Sequence, residues 1–220
     1  MYVKLSYEKL KDLIGQIRSR GLFYEYEFEK HRLIVFNENA QSTFNIRLPI
    51  HLPYPDLERL NPLKWVILLI QAGHGALGFM ENDSLVDHKV ISTYMVRKKQ
   101  GKSQIKYLKT KGKSRAGSRL RLANTIRFFD QINHRLQTYF DDHIIDRIAL
   151  SCSKTLLPYL FSSKVSCPFN KHDERIYRIP KDLYPPNFKV LKDTMQFLLK
   201  GEICFDPMHQ QMVNELMAIE

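Results

Sequence analysis

Between Asp87 and Asp130 the sequence holds thirteen basic residues and not one acidic residue. They are Lys89, Arg97, Lys98, Lys99, Lys102, Lys106, Lys109, Lys111, Lys113, Arg115, Arg119, Arg121 and Arg127. The chain carries 34 Lys and Arg against 23 Asp and Glu, so setting this window aside leaves 21 against 23. The net charge of +11 therefore comes from one segment, and the remainder is −2. Like charges at this density repel one another, and the repulsion is relieved when phosphates replace small counterions. Such a concentration is an address for a polyanion. With about six phosphate contacts, affinity falls roughly a thousandfold or more between about 50 and 200 mM salt. Tyr107 adds one aromatic ring for stacking on a base. On charge alone the segment reads as a nucleic-acid grip. A solvated basic loop and an anionic-lipid contact remain the other readings.

Other reactive residue types are weaker candidates. Asp141, Asp142 and His143, with Asp146, have the chemistry of a metal site or an acid–base pair. They follow a helix and have no second His/Cys cluster near them, so solvated polar residues are the expectation. His74 lies between two glycines, which read as parts of a tight turn. Ser151-Cys152-Ser153 lacks the glycines of a nucleophile elbow, and Cys152 is expected to be a buried strand-end residue. The three cysteines, Cys152, Cys167 and Cys204, are widely spaced without CxxC pairing. That spacing argues against a disulfide framework or a zinc knuckle, and for a reducing, cytoplasmic location. No metal or cofactor is implied. The longest apolar run, Trp65 to Met80, is broken by Gln71, His74 and three glycines, and is shorter than the ~20 residues of a membrane helix. The first residues, MYVKLSYEKLKD, are amphipathic and have no signal-type apolar segment.

The elements around the basic window follow from periodicity. Leu10, Leu13, Ile14 and Ile17 predict a helix over 7–17, with Gly21 as its stop. Strands are expected over 23–28, 32–36 and 43–48, so residues 1–55 read as a small α+β N-terminal section. Four prolines between 49 and 62 suggest an extended stretch, and 56–64 is taken as a linker. A main domain is then expected over 65–220. Trp65 to Gln71 reads as a strand buried on both faces, residues 72–75 as a turn, and 76–80 and 85–96 as further strands. A helix is expected from about Ser118, with Leu120, Leu122, Ile126, Phe129, Ile132 and Leu136 as an apolar stripe through Tyr139. Strands over 146–151, 175–179 and 202–205 and helices over 154–161 and 188–199 complete the pattern. The fold class expected is α/β, a layered mixed β-sheet with helices. Between its third strand and long helix, residues 97–119 are expected to form a projecting, mobile loop containing Gly101, Gly112 and Gly117.

The order of residues within the window adds specificity. Tyr94-Met-Val-Arg97-Lys-Lys-Gln100-Gly101-Lys102-Ser103-Gln104 is followed by Lys113-Ser-Arg-Ala-Gly117-Ser-Arg-Leu-Arg121. These paired blocks resemble the Vms-like release-factor family, within the archaeal and eukaryotic peptide-release-factor superfamily. Gly73-His74, Phe79 and His88-Lys89 also match. The resemblance covers residues 65–140 well and extends towards the C-terminus. It implies a release-factor middle-domain-like, RNase H-like fold and hydrolysis of peptidyl-tRNA on a ribosome or large subunit carrying a stalled chain. It assigns Gln104 as the catalytic glutamine, with Gly101 and Ser103 in the same tip. Gln100 precedes Gly101 and fits the motif less well.

Charge placement makes Arg97, Lys98, Lys99, Lys102, Lys106, Lys109, Lys111, Lys113, Arg115, Arg119 and Arg121 the expected RNA contacts, and the resemblance implies that this RNA is rRNA and tRNA. A monomer off the ribosome and no membrane partner are expected. This sequence departs from the family at Lys102, where the second glycine of the tip ordinarily stands, and a non-glycine there narrows the backbone torsions. Two other functions share the basic fold. One is a non-hydrolytic ribosome- or tRNA-binding rescue factor. The other is an RNA endonuclease, which would need a carboxylate cluster drawn from Asp83, Asp87 and Asp146.

Overall fold

The computed structural model describes residues 1–37, 39–52, 62–93 and 113–217, with backbone alone at 113–121. It contains two compact units, residues 1–62 with 193–220 and residues 63–192. The fold is α/β, with one five-stranded sheet in each unit.

The first unit is built from β1 (Tyr2–Leu5), α1 (Tyr7–Ser19), β2 (Tyr24–Glu27), β3 (Arg32–Phe36) and β4 (Ser42–Arg47). Ser6 caps α1 by accepting from the Lys9 N–H, and Leu10, Leu13, Ile14 and Ile17 are its buried stripe, as their spacing predicts. Gly21 adopts φ +64 just past the helix end, the left-handed stop expected of it. Two elements arrive from far along the chain: β10 (Gly201–Phe205) and α5 (Gln210–Met217). Strand β10 pairs antiparallel with both β1 and β4, giving the order β1-β10-β4-β3-β2. Ile203 and Phe205 join the core beneath α1, and Val213 and Leu216 of α5 close it.

This differs from the expected run of one domain from 65 to 220. Alternation reveals that 201–205 is a half-buried strand, but not which sheet receives it. The C-terminal helix α5 is absent from the sequence reading because its eight residues bury only two side chains.

The second unit carries β5 (Lys64–Gln71), β6 (His74–Glu81), β7 (Ser84–Ser92), β8 (Arg147–Cys152) and β9 (Ile176–Arg178) in the order β7-β6-β5-β8-β9. Strands β5, β6 and β7 form an antiparallel meander, whereas β8 pairs parallel with β5 and β9 parallel with β8. The mixed sheet is the one the sequence predicts. Central strand β5 is buried on both faces from Trp65 to Ile70, which explains its unbroken apolar run. The β5–β6 hairpin turns on Ala72 and Gly73 alone, with Gly73 at φ +80. His74 and Gly75 belong to β6, so the expected four-residue turn is corrected to two.

The crossover from β7 to β8 is α2 (Lys113–Asp142). It lays Phe128, Phe129, Ile132, Leu136 and Tyr139 on the face of the sheet formed by Val66, Leu68, Ile70, Leu77 and Phe79. Each such buried apolar side chain contributes roughly 1.5–3 kcal/mol. Gly75 sets how closely the layers meet, since a Cβ there would stand 3.2 Å from the Phe128 ring and 3.3 Å from Ile132. Short α3 (Leu157–Phe161) and α4 (Phe188–Leu198) complete the elements. On the opposite face a Cβ at Gly78 would meet Leu191 of α4 at 3.5 Å.

Two expectations about α2 need correction. The helix starts at Lys113 rather than near Ser118, so residues 113–119 of the predicted loop are helical. The expected stripe also does not stay buried along its length. Leu122 is 57% exposed and Ile126 38%, and burial begins at Phe128. The reason is geometric: Phe128 packs over Gly75, the second residue of β6, and the sheet ends one residue further on at His74. The fifteen residues before Phe128, about 22 Å of helix, run on beyond the strand ends. Ile126→Ala is therefore expected to change stability by no more than about 0.5 kcal/mol, while Phe129→Ala costs about 3–5 kcal/mol. Urea denaturation of the two variants measures the difference, and equal losses would place both side chains in the core.

Candidate nucleic-acid interface

The basic window leaves the sheet at the end of β7 and rejoins it through α2. At its entrance the Thr93 N–H donates to the Gly73 carbonyl at 2.8 Å. Ser92 pairs in register with His74, their Oγ and Nδ1 atoms 3.5 Å apart. The segment therefore departs beside the tight β5–β6 hairpin. Arg97, Lys98, Lys99, Gly101, Lys102, Ser103, Gln104, Lys106, Lys109 and Lys111 lie outside the described residues, as does the expectation of a mobile loop at 97–112. Lys113, Arg115, Arg119 and Arg121 are placed by backbone in the opening turns of α2. Their presence there carries a cost, because cations near a helix N-terminus oppose the macrodipole, and no acidic residue occupies that first turn. A phosphate near these residues relieves both the dipole and their mutual repulsion.

The carboxylates that bound the window are already committed. Asp87 of β7 forms an ion pair with Arg135 of α2. The Arg135 Nε–H donates to the Tyr139 hydroxyl at 3.3 Å, and its guanidinium lies 5.0 Å from that ring's centre. Burial pushes the Tyr139 phenol above its ordinary pKa, and the Asp87 carboxylate adds to the rise. Tyr139 in turn stacks on Phe79, which stacks on His143 with ring centres 4.3 Å apart. At the other end, Asp130 accepts from the Ser163 hydroxyl at 2.5 Å. Asn133, buried in the same stretch of helix, donates through Nδ2 to the carbonyls of Leu160 and Val165, both at 2.8 Å. Both acidic boundaries thus serve as fasteners of α2, Asp87 through a charge pair with Arg135 and Asp130 through a hydrogen bond from Ser163 that leaves its charge in place.

The weaker candidates resolve into structural roles. His143 is held by its stack on Phe79, and Asp146 accepts the Lys64 N–H at 2.8 Å at the start of β5. Asp83 sits in the β6–β7 turn. Asp83, Asp87 and Asp146 therefore have separate duties, and among the described residues no three His, Cys, Asp or Glu side chains gather as a metal site would require. Cys152 ends β8 as expected but is half-buried rather than buried, with burial pushing its thiol up to about 12. Burial likewise raises the Cys167 thiol to about 11. Among the described residues no helix is long and apolar enough to cross a membrane.

Sequence reasoning passed over the polar face of α2. Arg127, Gln131, His134 and Thr138 are spaced i, i+4, i+7 and i+11, which places them within roughly 60° of one another around the helix. Lys89 of β7, Gln131 and His134 are exposed and line the cleft between the strand and the helix. The signal was present as the polar complement of the apolar stripe that was read.

A family model described as Bacteroidetes VLRF1 release factor matches residues 65–204. The match spans more than half of the 220 residues and includes both motif blocks, so the chain belongs to this release-factor family. Membership gives it, at the coarse level, a release-factor-like function in translation with the ribosome as partner. The match starts at Trp65, the residue with which the resemblance begins. Its description names Bacteroidetes, whereas the sequence resemblance is drawn to the archaeal and eukaryotic superfamily. No curated protein matches. A solved structure titled "Vms1 mitochondrial localization core" is similar at 13% identity, covering 92% of this chain and 84% of that chain, with a TM-score of 0.42.

The raised thiols give a direct check of the cysteine environment. A thiol with a pKa near 12 instead of 9 holds ~1,000-fold less thiolate at pH 8, so Cys152 is expected to alkylate far more slowly than a free cysteine. Mass-spectrometric timing of iodoacetamide labelling at pH 8 reports this, and labelling of the Cys152 peptide at the free-thiol rate would contradict it.

Proposed function

We propose that the chain is a peptidyl-tRNA hydrolase that acts in the cytoplasm on ribosomes or large subunits carrying a stalled nascent chain. One observation carries this reading. The family match runs through Gly101-Lys-Ser-Gln104 and Lys113–Arg121, and those blocks stand inside a window with no acidic residue. The ordered frame supports it, since β7 and α2 are fixed to one sheet on either side of the motif.

The residue types suit a mechanism in which the protein positions and RNA surrounds. Glutamine is no base near neutral pH, but its amide both donates and accepts hydrogen bonds. In the proposed complex Gln104 orients a water molecule onto the ester carbonyl linking peptide to tRNA. Its backbone N–H faces the oxyanion that develops, an interaction worth about 2.7–4 kcal/mol in comparable sites. Gly101 and Ser103 shape the tip, and Lys102 places a positive charge where a second glycine would leave the backbone freer. The lysines and arginines from Arg97 to Arg121 neutralise phosphates of rRNA and tRNA and fix the segment's register without reading sequence.

Gln104→Ala separates this reading from a non-hydrolytic rescue factor. The variant is expected to sediment with peptidyl-tRNA-bearing large subunits as the wild type does, while release of the labelled peptide falls by a factor of ~100 or more. Release at the wild-type rate by the variant rules out Gln104 as the group that meets the ester. A wild type that binds and never releases peptide establishes the non-hydrolytic role instead.

A further inference from the structure

Beyond the basic segment, the second unit has a cleft of about 690 Å³ between the edge strand β7 and α2, lined among others by Lys89, Ser92, Gln131, His134 and Thr138. Strand β7 is the sheet's last strand on that side, so the cleft is open along its length. We propose that this cleft is a second RNA contact, a track that holds the phosphodiester backbone of the strand next to the one gripped by the basic segment. The proposal deepens the function proposed above and rests on its RNA-binding half, not on ester hydrolysis.

Three features of the cleft select a phosphate backbone. Its charge is positive, because Lys89 is exposed while the neighbouring Asp87 is paired with Arg135. Asp130, hydrogen-bonded by Ser163, keeps its charge but does not line the cleft. Its α2 wall presents polar groups in a line: Gln131, His134 and Thr138 share one helix face over about 10 Å, the Thr138 hydroxyl donating to the His134 carbonyl at 3.2 Å. Such a row of an amide, an imidazole and a hydroxyl, with Arg127 one turn further along the same face, follows a chain of phosphate and sugar oxygens without demanding a base sequence. The cleft is also continuous with the root of the basic segment, since Ser92 lines it and Thr93 is the last described residue before that segment.

The test uses the full chain with deacylated tRNA and vacant large subunits as probes, measuring affinity across a salt series. Lys89→Gln is expected to weaken binding and to reduce the magnitude of the log K against log salt slope by about 1. Gln131→Glu, which places a carboxylate in the cleft without changing an exposed side chain's size, is expected to weaken binding about tenfold at low salt and less at high salt. Lys171→Gln removes the same charge as Lys89→Gln from an exposed position elsewhere in the unit and is the control. Circular dichroism establishes that each variant is folded. Groove variants indistinguishable from Lys171→Gln overturn the proposal, and so does weakened binding with an unchanged salt slope. Neither probe carries an ester-linked peptide, so these outcomes do not depend on hydrolysis. Failure of the wild type to bind either probe overturns both readings, whereas binding without peptide release leaves this one intact.

Discussion

The second unit depends on how closely α2 can lie on β6. That distance is set at Gly75, where the absence of a side chain lets Phe128 and Ile132 settle against the strand. From this contact the rest of α2 is fixed in register: Leu136 and Tyr139 reach the sheet, Arg135 reaches Asp87, and Asn133 reaches the carbonyls of Leu160 in α3 and Val165 after it. The same contact decides where the helix stops being part of the core. N-terminal to Phe128 the stripe positions Leu122 and Ile126 are exposed, so the helix leaves the core before its basic opening turns. Placing the positive charge there separates its electrostatic cost from the packing that holds the fold together.

Charge placement then converts this frame into an interface. A +11 chain whose excess lies in one window has to keep its own carboxylates from neutralising that window. Asp87 is paired across to Arg135 of α2, while Asp130 keeps its charge and is hydrogen-bonded to the segment after α3. Both anchor α2, and the Arg135 pair also offsets the Asp87 charge on β7. The polar line from Arg127 to Thr138 extends that face from the motif towards the body of the sheet.

Much of this was legible in the sequence, and the parts that were not share a cause. Local signals survive well: the doubly buried run of β5, the helical spacing of α1 and the left-handed stop at Gly21 are each fixed by a few neighbouring residues. The mixed sheet followed from a meander ahead of alternating helix and strand. What stayed hidden depends on distant partners. No property of residues 201–205 announces that they pair with Tyr2–Leu5 and Ser42–Arg47. The stripe through Leu122 and Ile126 has the period of a buried face, but the sheet it would cover ends one residue past Gly75. The role of Gly75 itself was masked by its neighbour Gly73, which does make the turn. The candidate site was legible as charge and motif, with Gln104 known by resemblance alone, while the cleft beside Lys89 required two elements to be seen side by side.

In the proposed function the β7–α2 frame carries the Gly101–Gln104 tip to the ester of peptidyl-tRNA. A photo-crosslinking amino acid at position 103, in full-length protein bound to large subunits with a stalled peptidyl-tRNA, measures this most directly. Crosslinks are expected to the 3′ end of that tRNA and to rRNA of the peptidyl-transferase centre. Crosslinks confined to the outer surface of the subunit would contradict it.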